Sequence, residues 1–447
     1  MSPTSTDRRF GRALAGTIAV LFVLCGVFLA LGYLQGPKLA DASVDTAGVI
    51  DQPAQQLRLF ANQALTEVAA EQVTITPAAH FTVSTSGDII SVQFTDRLLY
   101  DTKYTVRIER VTSVFAPQES TISYEFTTDS PELYYLDRGE PTDDIIRTTT
   151  AGTARESVYQ AVGIQDFVAL GKTIVVSILD GTDSRLVLAS LTDVGEQDLR
   201  LPASGTIGQL QGASSGTIVG FTMTDDERQA GVPLYTIDLE RTGGAQVVEG
   251  IDGEPLRVVD WRFLPGSTGI VAMNGVGDLL YVDPAKATVV PLGQFQSLVG
   301  VGADGDSVVV TDLFGAVILS VTDGSQERIE IADSEEGRAY LGPLVPLPDR
   351  SIIAKAVLGS TFSPVVLHAD GDSTVVLYRT PGDAGSIQDI SVSPNGQYVA
   401  VETVPDVAVS SPDGYAADGR DTNTTTVIVD VASGAIVSSF TGFALAW

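Results

Sequence analysis

From Ile164 to its end the chain repeats a unit every 39 to 51 residues, with starts at Ile164, Ile207, Val258, Ser297, Leu341 and Ile387. Each unit is an apolar stretch, a turn, a β-branched run and a further apolar strand closing near Asp or Thr. The clearest is VVDWRFLPGSTGIVAM…DLLYVDPAKATVVPL at 258–292, and IQDFVALGKTIVV at 164–176 opens like IQDISVSPNGQYVAV at 387–401. A period of 40 to 50 residues with about four short strands per unit is the signature of propeller blades. One such sheet cannot cover both of its faces, so neighbouring units must stack radially. The turns PG, ADG, PDR and PNG join the two inner strands, where a tight reversal favours Gly, Asn and Asp.

A ring must join its ends or expose bare strand edges. The terminal FTGFALAW reads as the first strand of a seventh unit, with Trp447 at the place of Trp261. ELYYLDRGEPTDDIIRTTT at 132–150 reads as the last two strands of one, LYYLD matching LLYVD. The two remnants are expected to form one composite blade that brings Trp447 near Tyr134. Seven blades follow; an eight-bladed or an open six-bladed arrangement stays open. Trp261 and Trp447 are expected to pack between blades.

The units resemble the TolB-like and WD40-like propeller repeats of bacterial envelope proteins. SPNG (393–396) and LPDR (347–350) stand where those repeats carry SPDG. LYTID (234–238), LLYVD (279–283) and VIVDV (427–431) stand where they carry LYxxD. The resemblance covers about 315 residues; it implies a fold and not a chemistry, since propellers host binding and catalysis alike.

Upstream, period-two alternation in IISVQF (89–94), KYTVRIERV (103–111) and TISYEFTT (121–128) predicts strands with one buried face, and hence a small β-sandwich over 55–128. Val73, Pro77, Leu98, Tyr104, Val106, Phe126 and Thr128 resemble the bacterial Ig-like modules of surface-layer proteins. SVFAPQES replaces the family's D-x-x-G-N turn. The resemblance implies a spacer or adhesion role. Residues 35–54, polar and small, read as a linker.

The N-terminus carries Arg8, Arg9 and Arg12 before an uncharged run of 22 residues, 13–34. As a helix it spans roughly 33 Å, enough to cross a bilayer. The arginines before it and acids after it predict a cytoplasmic tail over 1–12, a transmembrane helix over 13–34 with Tyr33 at the outer interface, and export of the remainder. A cleaved signal at Ala40-Asp41-Ala42 is the alternative; Leu24 before Cys25 argues against a lipoprotein site. The expected class is therefore all-β, with an N-terminal transmembrane helix, a small Ig-like sandwich over 55–128 and a seven-bladed propeller over 131–447.

Charge and inventory limit function. Asp plus Glu number 56 against 26 Lys plus Arg, a net charge of −30, which disfavours nucleic acid and anionic lipid and favours cations or a basic partner. One cysteine, Cys25, permits no disulfide within the chain, and two histidines, His80 and His368, leave no metal site or triad built on imidazole. His368 reads as a satisfied core or edge residue and His80 as exposed. No catalytic residue and no metal site is assigned. The polar insertion 405–426 is the expected contact loop, with Asp413, Tyr415, Asp418, Asp421 and Asn423 as ligand- or partner-binding residues. Asp418, Asp421 and Asn423 also offer oxygens to calcium, although D-x-x-D-x-N matches no standard loop. The expectation is an extracytoplasmic binding or assembly module of a bacterial envelope, with a protein or glycan partner. The alternative is a propeller enzyme, a glycan hydrolase or lyase, working through channel carboxylates.

Overall fold

The computed structural model describes residues 14–24, 35–192, 195–214, 216–224, 231–241, 243–302, 304–359, 361–382, 384–415 and 418–447. Residues 14–24, part of the apolar run 13–34, are helical. Among the described residues no helix is long and apolar enough to cross a membrane. Arg8, Arg9, Arg12 and Tyr33 lie outside the described residues. The chain divides into two compact units, 1–131 and 132–447.

The first unit holds two antiparallel sheets. One orders Leu39–Ser43, Gln56–Ala61, Ile89–Phe94 and Phe81–Ser86; the other orders Val73–Thr76, Lys103–Val111 and Ser120–Thr127. Alternation does what the sequence predicts: Leu57, Leu59, Ile90, Val92 and Phe94 on one sheet, and Tyr104, Val106, Ile108, Ile122 and Phe126 on the other, are buried. Phe94 meets Phe126 with centroids 6.3 Å apart, and Tyr104 stacks on Phe126 at 5.6 Å. The stretch 35–54, expected as a linker, is instead folded. Leu39–Ser43 is an edge strand on Gln56–Ala61, and the helical turn Gly48–Asp51 buries Val49 and Ile50. The reason is that adjacent pair of β-branched side chains, which leave water only by packing on the sandwich; Asp45 Oδ1 accepts from the Gly48 amide at 2.9 Å and fixes the turn.

Among the described residues the second unit holds seven antiparallel sheets, six of four strands and one of five, in which the short Arg257–Val258 also pairs with Val232–Asp238. Their first strands are Phe443–Ala446 (blade 1), Ile164–Leu170 (blade 2), Ile207–Gly212 (blade 3), Asp260–Phe263 (blade 4), Ser297–Val301 (blade 5), Ala339–Pro346 (blade 6) and Ser386–Val392 (blade 7). From blade 1 through blade 7 each first strand lies against the first strand of the next blade. Phe443–Ala446 then also lies against Thr425–Asp430 of blade 7, closing the ring. This is a seven-bladed propeller. The composite blade forms as expected: Phe443 pairs with Leu136 and Ala446 with Tyr134. One detail differs. Leu133–Asp137 is the second strand of its blade and Asp143–Thr148 the third, with Glu156–Ala161 outermost. LYYLD therefore sits one strand further in than LLYVD. A strand apolar on both faces fits either of the two middle positions, so the pattern alone misplaced it.

No blade has a core of its own. Val308 and Val310 of blade 5 pack with Val271 and Met273 of blade 4, while Val309 between them packs with Ala354 and Leu367 of blade 6. Both faces of such a strand are covered, which is why the second strands read as unbroken apolar runs. Trp261 is fully buried between blades, edge-on to Phe263 at 5.2 Å, and a Cβ added at Gly220 of blade 3 would come within 2.5 Å of its ring. Trp447 does not share that environment. It is part-exposed, stacks on Tyr398 of blade 7 at 6.5 Å and donates Nε1–H to Ser391 Oγ at 3.1 Å. The inner reversals are left-handed at Gly266, Gly305 and Gly396, and at Arg350 (φ 72°), where no glycine stands.

Candidate functional site

Strand direction alternates within each blade. All second-to-third hairpins and all crossings to the next blade therefore emerge at one end of the ring, here the crossover end. Blade 7 carries by far the longest of these hairpins, residues 405–424 between Tyr398–Val404 and Thr425–Asp430. It holds every contact residue the sequence suggested, and it folds onto blade 1.

The centre of that contact is Arg138, whose side chain is 3% exposed. Its Nη1 donates to Asp413 Oδ2 at 2.8 Å and to the Asp418 carbonyl at 2.7 Å. Nε and Nη2 donate to the Ile164 and Gln165 carbonyls at 3.1 Å. The guanidinium stands 4.2 Å from the Tyr415 centroid and 4.9 Å from that of Phe443. Arg420 lies 5.2 Å from the same Phe443 ring, which thus sits near two cations attracted to its π face. Tyr415 Oη donates to Asp143 at 2.6 Å. Asp143 is fully buried and also accepts from the Gly163 and Ile164 amides at 3.0 and 2.8 Å. Burial, with the Asp143 carboxylate beside it, pushes the Tyr415 phenol up to about 12.

Asp413 and Tyr415 are thus turned inward and engaged. Asp421 accepts from Ser410 Oγ, and Asn423 Nδ2 donates to the Asp406 carbonyl at 3.2 Å. Asp418 is half-exposed, 3.3 Å from Arg420. No group of three or more His, Cys, Asp or Glu among the described residues is placed to hold a metal ion. His368 Nε2 lies 3.0 Å from Ser351 Oγ; His80 is exposed, 2.8 Å from Asp96.

The repeated I-Q-D has a local meaning. Asp166 and Asp389 each accept, through Oδ1, the amide of the following residue at 2.8 Å, and Asp260 does the same for Trp261. The pairing register shifts at Ile164/Asp166 and Ile387/Asp389. The motif is a bulge with its own side-chain acceptor at the start of an inner strand. In blades 2 and 7 these carboxylates join a wider group. Burial pushes Asp166 up to about 7, with Asp418 adding to it and the Phe167 amide, Arg420 and Arg138 opposing. Burial and Asp389 push Glu402 up to about 7, against the Ala444 amide and Arg420. Burial lowers Lys355, whose Nζ donates to the Gln388 carbonyl at 2.9 Å. Both carboxyls are thus pushed upward by burial, with Arg420 opposing in each case.

A second feature of the crossover end is apolar. Leu313 and Phe314, the two-residue tip of the blade 5 hairpin, are each 82% exposed, and Phe362 at the blade 6 tip is 78% exposed. Sequence reasoning missed Arg138, Asp143 and these tips. Their one signal was D-L-F-G at 312–315, where two large apolar residues stand in a place that favours turn formers. On the flank of blades 3 and 4 are clefts of about 450 and 610 Å³, lined by Ile251, Arg257 and Val276, and by Arg241, Val247 and Asp283 respectively. Asp283 is held below the usual carboxylate range by Lys286, as expected of a structural ion pair.

No protein-family model and no curated protein matches the chain. Among solved structures the chain is similar to TolB from Acinetobacter baumannii, at 14% identity over 74% of this chain and 75% of that one, with a TM-score of 0.38. It is also similar to an oligogalacturonate lyase in complex with manganese, at 10% identity over 58% and 79%, TM-score 0.44. A third is the β-propeller domain of the Trilobed protease from Pyrococcus furiosus, at 12% identity over 61% and 83%, TM-score 0.41.

Proposed function

We propose that this chain is a membrane-anchored, extracytoplasmic binding module of a bacterial envelope. In this reading 13–34 is the anchor, with Arg8, Arg9 and Arg12 on the cytoplasmic side and Tyr33 at the outer interface. The N-terminal sandwich is an Ig-like spacer, and the propeller takes a protein or glycan partner at its crossover end. The observation that carries it is the exposure of Leu313, Phe314 and Phe362 at hairpin tips of that end. Leu313 and Phe314 are neighbours on one tip, and several large apolar side chains left in water on one face mark interaction surfaces. The test is a photo-crosslinking amino acid placed at 314 or at 362 in the full chain, in the native envelope. One discrete adduct of defined mass is expected. Absence of any adduct from these positions and from the other crossover-end loops, with the chain folded and exported, would refute a binding role.

A second reading is favoured by the near-neutral carboxyls Asp166 and Glu402. In it the channel wall performs acid–base chemistry on an envelope glycan. Turnover of wall polysaccharide that disappears in both Asp166→Asn and Glu402→Gln would establish it; turnover unaffected by either would dismiss it.

A further inference from the structure

We infer that the partner seats on blades 5 and 6 as a protein segment carrying apolar side chains flanked by Lys or Arg. The inference rests on the binding reading above and names the chemistry of its partner. Phe362 is not only exposed. It is held at φ 54°, a left-handed conformation that a bulky side chain seldom adopts, by its amide bonding to the Leu358 carbonyl at 2.8 Å. A left-handed residue closes a short hairpin; here the position carries an aromatic ring left in water instead of a glycine. Tyr340, 59% exposed, belongs to the same edge, because it pairs with Val357 and the Gly359 amide bonds the Arg338 carbonyl.

Between the blade 5 and blade 6 tips runs the crossing 329–338, IEIADSEEGR. Ile329 is tied to Ala316 by its amide, so this acidic loop starts beside the Leu313–Phe314 hairpin and ends beside Tyr340. The cations of the sector are engaged. Arg328 bonds Asp312 at 2.7 Å, Arg379 bonds Glu336, and Arg338 lies 5.9 Å from the Tyr340 ring. Glu330, Asp333 and Glu335 are exposed and make no ion pair among the described residues. The surface is therefore apolar at its tips and anionic between them, and complementarity calls for the opposite sign on the partner. A second copy of this chain, itself carrying a net charge of −30, would set acid against acid, and an anionic lipid surface is repelled in the same way.

The test uses the full chain in phosphatidylcholine nanodiscs and three labelled synthetic peptides of equal length. One alternates Leu or Phe with Lys, one has Glu for every Lys, and one has Ser for every Leu and Phe. Anisotropy is expected to show the first binding about tenfold or more tighter than either of the others. The Phe314→Ala/Phe362→Ala double variant should weaken it about tenfold, as loss of central aromatic anchors does. Glu330→Gln/Asp333→Asn/Glu335→Gln should flatten its dependence on salt. Thermal midpoints check that both variants remain folded. Equal binding of the Lys and Glu peptides, or binding indifferent to both variants, overturns the inference. So does a dimer in sedimentation velocity that the phenylalanine variant dissolves. If crosslinking then still captures a partner through other loops, the binding role stands and only this docking site falls; if nothing is captured anywhere, both fall.

Discussion

Two sectors of one ring end treat their side chains in opposite ways. Where blade 7 meets blades 1 and 2, Arg138, Asp143, Asp413 and Tyr415 spend nearly all their hydrogen-bonding capacity on one another and on backbone. On blades 5 and 6, the side chains of Leu313, Phe314 and Phe362 carry no polar group and stand mostly in water, with the Arg328 guanidinium 5.8 Å from the Phe314 ring. The polar insertion packs over the closure of the ring, and the short hairpins of blades 5 and 6 hold exposed apolar surface. Polarity in a loop thus does not mean that its side chains are free. Buried polar groups must be satisfied internally, whereas an exposed apolar side chain has no polar group to satisfy.

The largest test of the contrast removes the closing strand. A chain lacking residues 443–447 loses the buried Phe443 and leaves Leu133–Asp137 with a bare edge. Its propeller should lose more than about 4 kcal/mol and become sensitive to proteolysis; an unchanged urea midpoint would show that the ring does not depend on closure. Next comes Arg138→Ala, which strands the nearly buried Asp413 carboxylate and is expected to cost about 3–5 kcal/mol by denaturant unfolding. Arg138→Lys should recover less than half of the loss, because an ammonium cannot serve acceptors spread across the planar fork. A loss within error for alanine would mean that the seal is incidental.

The third test is pH. Asp166 and Glu402 hold their protons up to about 7 in the fold, but only to about 4 in the unfolded chain. The native state therefore binds more protons across that window. This contribution to stability is greatest below about pH 4, falls as pH rises to about 7 and is flat above it. Asp312, held down to about 2 by hydrogen bonds from Arg328 and the Phe314 amide, acts with the opposite sign at lower pH. The Asp166→Asn/Glu402→Gln variant should flatten the decline in melting temperature between pH 5 and pH 7; a wild-type slope in the variant would place the titrating groups elsewhere. The smallest effect lies in the open sector. Leu313→Ser and Phe362→Ser should each change stability by no more than about 0.5 kcal/mol, as exposed positions do. A larger loss by denaturant titration would show that these tips support the fold.

Much of the ring is legible in the chain. Alternating or unbroken apolar runs, reversals such as Pro394-Asn395-Gly396, and remnants at both ends of the repeat point to seven blades, one of them shared, but leave eight or an open six possible until the sheets are seen. The order of strands within that shared blade is less legible, because LYYLD fits both middle positions. The linker over 35–54 misled because the burial of Val49 and Ile50 depends on a surface formed by residues distant in sequence. The candidate site was legible only as a location. Asp413 and Tyr415 stand out as polar residues in a long insertion, and nothing near them in sequence announces Arg138, some 275 residues away.

By itself the sequence determined the repeat, its strand content and the acidic balance, since each depends on neighbours within a few residues or on a sum over the chain. Only the tertiary structure decided which polar residues face inward and which apolar ones stay in water. Burial is a property of what folds alongside a residue, and ring closure brings together the two stretches of the propeller unit that lie furthest apart in sequence.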